Sequence, residues 1–211
     1  MRKYWILLIM LVLPVLIFLF LKMAGRNEYA LQMVNPPEVA GCSPSKDAEG
    51  YHVVPAFEFI NQDGERFESA QLAGKLSLVS FFFTTCPDVC PKMTGELLRV
   101  HEAFKANPLV QMLSITVDPE HDSVAVLKQY AQSYQIQTPQ WTFLTGDQAD
   151  ILSLAKCGYL LEAQEGIGHS SSAALVDKEG RIRGFYELTD REEVDRLIIE
   201  VQVLLHQYGD L

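Results

Sequence analysis

Residues 76–83 read LSLVSFFF, with two serines as the only polar side chains. So apolar a run of this length predicts a strand buried on both faces. A strand with no wet face needs helices above and below its sheet, which points to an α/β fold. The neighbouring segments agree. Residues 57–60 read as a short strand closed by a turn at 61–64. Residues 110–117 predict a second buried strand and residues 141–144 a third. Between them lie helical stripes: Met93, Leu97, Val100 and Phe104 in 91–104, then Val124, Leu127, Ala131 and Tyr134. Asp122 or Ser123 is the expected cap of that second helix, and residues 147–156 predict a further one. Residues 173–176 and 182–186 around the turn at 177–180 predict a hairpin. The last helix spans 191–205, with Val194, Leu197, Ile198, Val201 and Leu205 facing inward.

Alternation of strand and helix followed by a hairpin and a helix implies a mixed central sheet with helices on both faces. This is a thioredoxin-like plan with additions, and it is assigned to residues 51–211. Ahead of it, residues 4–21 form an apolar run without charge. At 1.5 Å per residue that run spans about 27 Å, close to the thickness of a bilayer core. Residues 1–22 are therefore expected to be one N-terminal transmembrane helix, uncleaved, with the soluble domain on the outer, periplasmic or equivalent, side. Residues 23–50 contain Asn35-Pro36-Pro37 and Ser43-Pro44-Ser45 and read as a tether. Val39-Ala40-Gly41-Cys42 looks like a lipoprotein cleavage box, but about twenty mostly polar residues separate it from the apolar run.

Charge narrows the partners. The chain has 17 Lys and Arg against 27 Asp and Glu, a formal net charge of −10. Four of the basic residues lie in the first 26 positions, so no basic stripe remains to hold a nucleic acid.

Chemistry concentrates where the strand at 76–83 runs into Thr84-Thr85-Cys86-Pro87-Asp88-Val89-Cys90-Pro91. Ligand sites in open α/β sheets lie outside the carboxyl ends of the parallel strands. Cys86 and Cys90 are four residues apart, so on a helix both sulfurs share one face. The amino end of the following helix favours thiolate, the form that binds a metal or attacks a disulfide. A histidine at 169, in Gly166-Ile167-Gly168-His169-Ser170-Ser171, lies just before the hairpin and would face the cysteine loop in such a fold. Two thiolates and an imidazole suit copper, as Cu(I) or Cu(II). A structural zinc site would want a fourth protein ligand. Asp118 and Asp122 in Asp118-Pro119-Glu120-His121-Asp122 read first as turn and cap residues, and second as groups that orient the site or touch a partner. His121 is a weak accessory candidate. His52, His101 and His206 read as tether-edge or helix-surface residues. Cys157 reads as a buried free thiol, with a disulfide to Cys42 as the alternative.

Three motifs in order, Cys86-Pro-Asp-Val-Cys90-Pro, Val117-Asp118-Pro-Glu-His-Asp122, and Gly168-His169-Ser170 before Ala174-Leu175-Val176-Asp177, resemble the Sco/SenC family over about residues 51–207. The resemblance implies a thioredoxin fold and a copper metallochaperone. Such proteins help assemble the binuclear copper centre of cytochrome c oxidase. It implies Cys86, Cys90 and His169 as metal ligands and a copper-binding oxidase subunit, or another copper protein, as partner. Some members of the family act on thiols, so the alternative is a thiol-disulfide oxidoreductase. In it Cys86 and Cys90 are the catalytic redox pair that reduces the cysteines of a copper protein, recharged by a thioredoxin-like reductant. The copper role is that of an assembly factor and not a turnover enzyme, while the alternative is a thiol-disulfide reductase activity. A peroxidase of the same fold would need threonine three residues before Cys86, where Phe83 stands.

Overall fold

A computed structural model describes residues 2–24, 31–34, 39–43, 45–161 and 171–210. The chain forms two units, Met1–Ala30 and Leu31–Leu211. The first contains one helix, α1 (Arg2–Ala24), with Pro14 inside it. Side chains are described there for residues 4, 5 and 9–20, and all are exposed. Among the described residues no helix is long and apolar enough to cross a membrane.

The second unit is built on a seven-stranded mixed sheet. Its strands are β1 (Glu58–Asn61), β2 (Arg66–Glu68), β3 (Leu76–Phe82), β4 (Val110–Thr116), β5 (Trp141–Thr145), β6 (Ser172–Val176) and β7 (Ile182–Glu187). They lie in the order β2-β1-β5-β4-β3-β6-β7. The central strands β3, β4 and β5 are parallel, while β1, β2, β6 and β7 pair antiparallel. Every residue of β3, β4, β5 and β6 is buried, as an inner strand requires. Strand β2 was not expected: three residues, two of them charged, are too few to show a period.

The helices follow the predicted stripes. They are α2 (Val89–Phe104), α3 (Val124–Ser133), α4 (Gln148–Ser153) and α5 (Arg191–Tyr208). Helix α2 begins two residues earlier than its apolar stripe suggests and so takes Cys90 into its first turn. Pro91 is tolerated there because the first-turn N–H groups have no partner inside the helix. The end of the helix predicted over 147–156 is a π turn, Leu154–Gly158. Asp190 caps α5 through Glu192 N at 2.9 Å, and Gly209 ends it at φ +74°.

Alternate side chains of β3 enter two cores, because successive strand residues point to opposite faces. Leu76, Leu78 and Phe82 join Met112, Trp141 and Phe143 against α2, α3 and α5. Val79 and Phe81 join Leu113, Ile115 and Leu144 against α4, the π turn and Tyr159.

The expected tether is in part a strap. Val34 N donates to Ile182 O at 3.0 Å, and Arg183 donates to Leu31 O. Arg181 pairs with Asp47 at 2.5 Å and with Glu49. Cys42 and Cys157 form a disulfide, so Cys157 is not a free thiol and the sulfur of Cys42 is not available for a lipid thioether. The second unit, Leu31–Leu211, thus includes these strap residues. The partners lie more than a hundred residues away in sequence, beyond the reach of any local pattern. Two histidines also differ from expectation. His52 is buried with Nε2 2.8 Å from Gly158 O, and His101 is buried with Nε2 3.2 Å from Thr138 Oγ1. His206 is exposed, as expected.

A cross-link between residues 115 apart removes much loop-closure entropy from the unfolded chain. Replacing Cys42 and Cys157 together by serine should lower stability in urea denaturation by about 2–4 kcal/mol. Alkylation and mass mapping of the unreduced protein should leave both of these sulfurs unlabelled.

Candidate functional site

Strand β3 leaves the core at Phe82, whose carbonyl accepts from Val117 N at 2.8 Å. The chain then turns, with Cys86 N donating to Phe83 O at 3.3 Å, and enters α2 at Val89. Cys86 is half-buried on the turn and Cys90 is buried in the first helical turn; both thiols are free. The Cys90 backbone N–H donates to Cys86 Sγ at 3.3 Å. Cys86 lies outside the helix, so the two sulfurs are brought together by the turn and this N–H···S contact and not by a shared helical face.

The two sulfurs are not equivalent. Burial disfavours a Cys86 thiolate, but N–H groups of Cys90, Asp88 and Val89 and the Cys90 thiol outweigh it and bring the Cys86 pKa below 9.0. Burial pushes the Cys90 thiol up to about 12, and the charges of Cys86 and Asp122 add to the shift. Behind Cys90, Tyr130 packs on Phe82 at 5.2 Å and shares a hydrogen bond of 2.9 Å with Thr94.

Asp118 forms the expected turn, its carbonyl accepting from His121 N at 3.2 Å and Asp122 N at 2.9 Å. Asp122 does not cap α3. Ser123 occupies the cap position without a side-chain bond, and Asp122 turns away from the helix into the sheet end. It is fully buried. Its carboxylate accepts from Thr84 N at 3.0 Å, from the Thr84 hydroxyl, and from Thr116 Oγ1 at 2.5 Å. Thr84 and Thr116 carry no signal in the sequence, since threonine is ordinary at a strand end. His121 is exposed. Among the described residues no group of three or more His, Cys, Asp or Glu side chains could hold a metal ion.

His169 lies outside the described residues, which resume at Ser171. Ser171 Oγ donates to Glu187 Oε2 at 2.6 Å, and Ser171 O accepts from Leu188 N at 2.8 Å. Burial opposes the charge of Glu187, but hydroxyls of Ser171 and Thr189 and the Thr189 N–H hold its carboxyl below the usual range. Strand β6 runs antiparallel to β3 with Ala173 opposite Ser80. The chain thus enters β6 at the sheet end where β3 leaves for the cysteine loop.

The sequence pattern of the SCO1/SenC family matches residues 45–205. The chain belongs to that family. A Sco relative, the SCO1 protein homolog of Bacillus subtilis, is 31% identical over 194 residues, 89% of this chain and 92% of that protein. Among solved structures the fold is similar to BsSco, described as a member of the Sco family of cytochrome c oxidase assembly proteins with a disulfide switch. The TM-score is 0.64 and the identity 32%, covering 73% of this chain and 94% of that one. It is also similar to Arabidopsis thaliana ScoI with copper bound, at TM-score 0.60 and 30% identity over 74% of this chain and 99% of that one.

The unequal sulfurs of this Sco chain have a direct consequence. Thiolate fraction rises with pH through the pKa, so the lowered Cys86 reacts at lower pH than an ordinary thiol and the raised Cys90 at higher pH. Iodoacetamide at pH 8 should modify Cys86 well before Cys90 in the reduced folded protein, measured by peptide mass mapping. Equal rates would show that the two sulfurs share one environment.

Proposed function

We propose that this chain is a membrane-anchored copper metallochaperone that binds copper through Cys86, Cys90 and His169 and assists assembly of a respiratory cytochrome c oxidase. The observation that carries this is the pair of free thiols where the turn after β3 enters α2, with Cys86 Sγ accepting from the Cys90 N–H. Two adjacent sulfurs are a soft donor set that selects Cu(I), and an imidazole widens the set to Cu(II). Copper is cargo here, not a resident cofactor. A target thiolate displaces one of Cys86, Cys90 or His169, and the metal passes on by ligand exchange. The bonding of Ser171 at the carboxyl end of β3 supports His169 as the third ligand, because that root lies at the same sheet end. Family membership and the copper-bound Arabidopsis relative support the metal. The recipient is a copper-binding oxidase subunit or another copper protein.

Residues 1–22 act as a single-pass anchor in this scheme and hold the domain on the outer side of the membrane. The uncharged apolar run of residues 4–21, with Arg2 and Lys3 before it, supports the anchor. The Cys42–Cys157 disulfide supports an oxidising compartment, where such bonds persist.

A second role for the same residues is thiol-disulfide exchange, favoured by the different acidities of Cys86 and Cys90. Cys86 would attack a target disulfide and Cys90 would resolve the mixed disulfide, leaving Cys86–Cys90 oxidised for a thioredoxin-like reductant. Copper titration separates the two roles. The reduced full-length chain should take one equivalent of copper tightly, and the chain with Cys86–Cys90 oxidised should take none. The His169→Ala variant should lose tight copper binding while keeping most dithiol exchange. Wild-type affinity in that variant would overturn three-ligand binding.

A further inference from the structure

We propose that Asp122 is a positioning residue for the Cys86/Cys90 pair: its buried carboxylate pins the first residue of the cysteine turn to the end of β4 and so holds the two sulfurs at closing distance. The inference deepens the copper reading above and rests on it only for its metal arm.

Asp122 is fully buried, and both oxygens are engaged. Two of its three donors, N–H and hydroxyl, come from one residue, Thr84, which stands between the last strand bond of β3 and Cys86. The third comes from Thr116, the last residue of β4, whose Oγ1 also accepts from Asp118 N at 3.0 Å. A fully buried carboxylate with three donors on it is not exposed to serve as a ligand. What it can do is fix a backbone. Beside it, the turn 83–86 is held by Val117 N to Phe82 O, by Cys86 N to Phe83 O and by a backbone bond of Phe83 to the Cys90 thiol. The carboxylate lies near enough to Cys90 for its charge to act on that thiol. A plain helix cap would have pointed into α3, and a plain turn residue would have stayed at the surface; Asp122 does neither.

Holding two groups in register raises their effective concentration toward each other. For this pair the gain appears in any reaction that joins both sulfurs. One is chelation. The other is closure of the disulfide: Cys86–SH and Cys90–SH with oxidised glutathione give the Cys86–Cys90 bond and two reduced glutathiones. Both thiol hydrogens end on glutathione, and two electrons pass to it.

The test uses the full-length chain without metal. The Cys86–Cys90 equilibrium is measured in glutathione buffers by mass mapping, with melting temperature recorded beside it. Asp122→Asn removes the charge, Thr84→Val removes one donor while keeping side-chain shape, and Thr84→Ser restores that donor. Both Asp122→Asn and Thr84→Val should shift the equilibrium toward the dithiol by about tenfold, as expected for loss of a hydrogen bond to a charged group. Thr84→Ser should stay near wild type. Wild-type constants in folded Asp122→Asn or Thr84→Val would overturn the proposal and leave Asp122 as a residue of the fold alone. If Asp122→Asn does not fold, Thr84→Val against Thr84→Ser decides the matter. Failure of the copper reading is seen separately, as a wild-type chain that binds no copper while the thiol shifts remain.

Discussion

The position of β3 between a parallel and an antiparallel neighbour governs the rest of this domain. Strand β4 runs beside it in the same direction, so both strands end at one edge of the sheet. Strand β6 runs the other way, so it begins at that edge. Neighbouring strands lie about 4.8 Å apart. Three connections therefore crowd into one region: the cysteine turn, the turn from Asp118 to Asp122, and the root of β6 at Ser171. The chemistry follows from strand direction before any single side chain is considered.

Two carboxylates fasten that region, and each uses hydroxyl and N–H donors. Asp122 takes Thr84 and Thr116, while Glu187 takes Ser171 and Thr189. Buried polar networks stabilise only when every member is satisfied, and both of these are bonded through both oxygens. The result is a bonded frame beside a pair of free thiols. The carboxylate bonds of Asp122 end at residue 84; beyond it Cys86 N donates to Phe83 O, and Cys86 Sγ accepts from Cys90 N.

Much of this was legible in the sequence. The run at 76–83 and the stripe of Met93, Leu97, Val100 and Phe104 fixed a strand and a helix within two residues of their observed ends, because burial imposes a period on the side chains. The order of elements gave a mixed sheet, and Cys86 and Cys90 stood out at the carboxyl end of β3. The strap did not stand out. Asn35-Pro36-Pro37 and Ser43-Pro44-Ser45 look like a linker from composition, yet Cys42, Asp47 and Val34 are bound to residues more than a hundred positions away. His52 and His101 look like surface residues for the same reason: what buries them is distant in the chain.

The sequence by itself determined the central strands and the main helices, their order, and the two cysteines at the carboxyl end of β3, since local periodicity and spacing carry all three. Only the tertiary structure decided what Asp122 does. Its neighbours in sequence suggest a cap for α3, but its partners are Thr84 and Thr116, one brought to it by parallel pairing and one by the turn at the end of β4. It decided also that Cys42 closes on Cys157 and that Cys86 and Cys90 differ in acidity. Burial and the direction of N–H groups set those properties, and neither exists until the chain has folded.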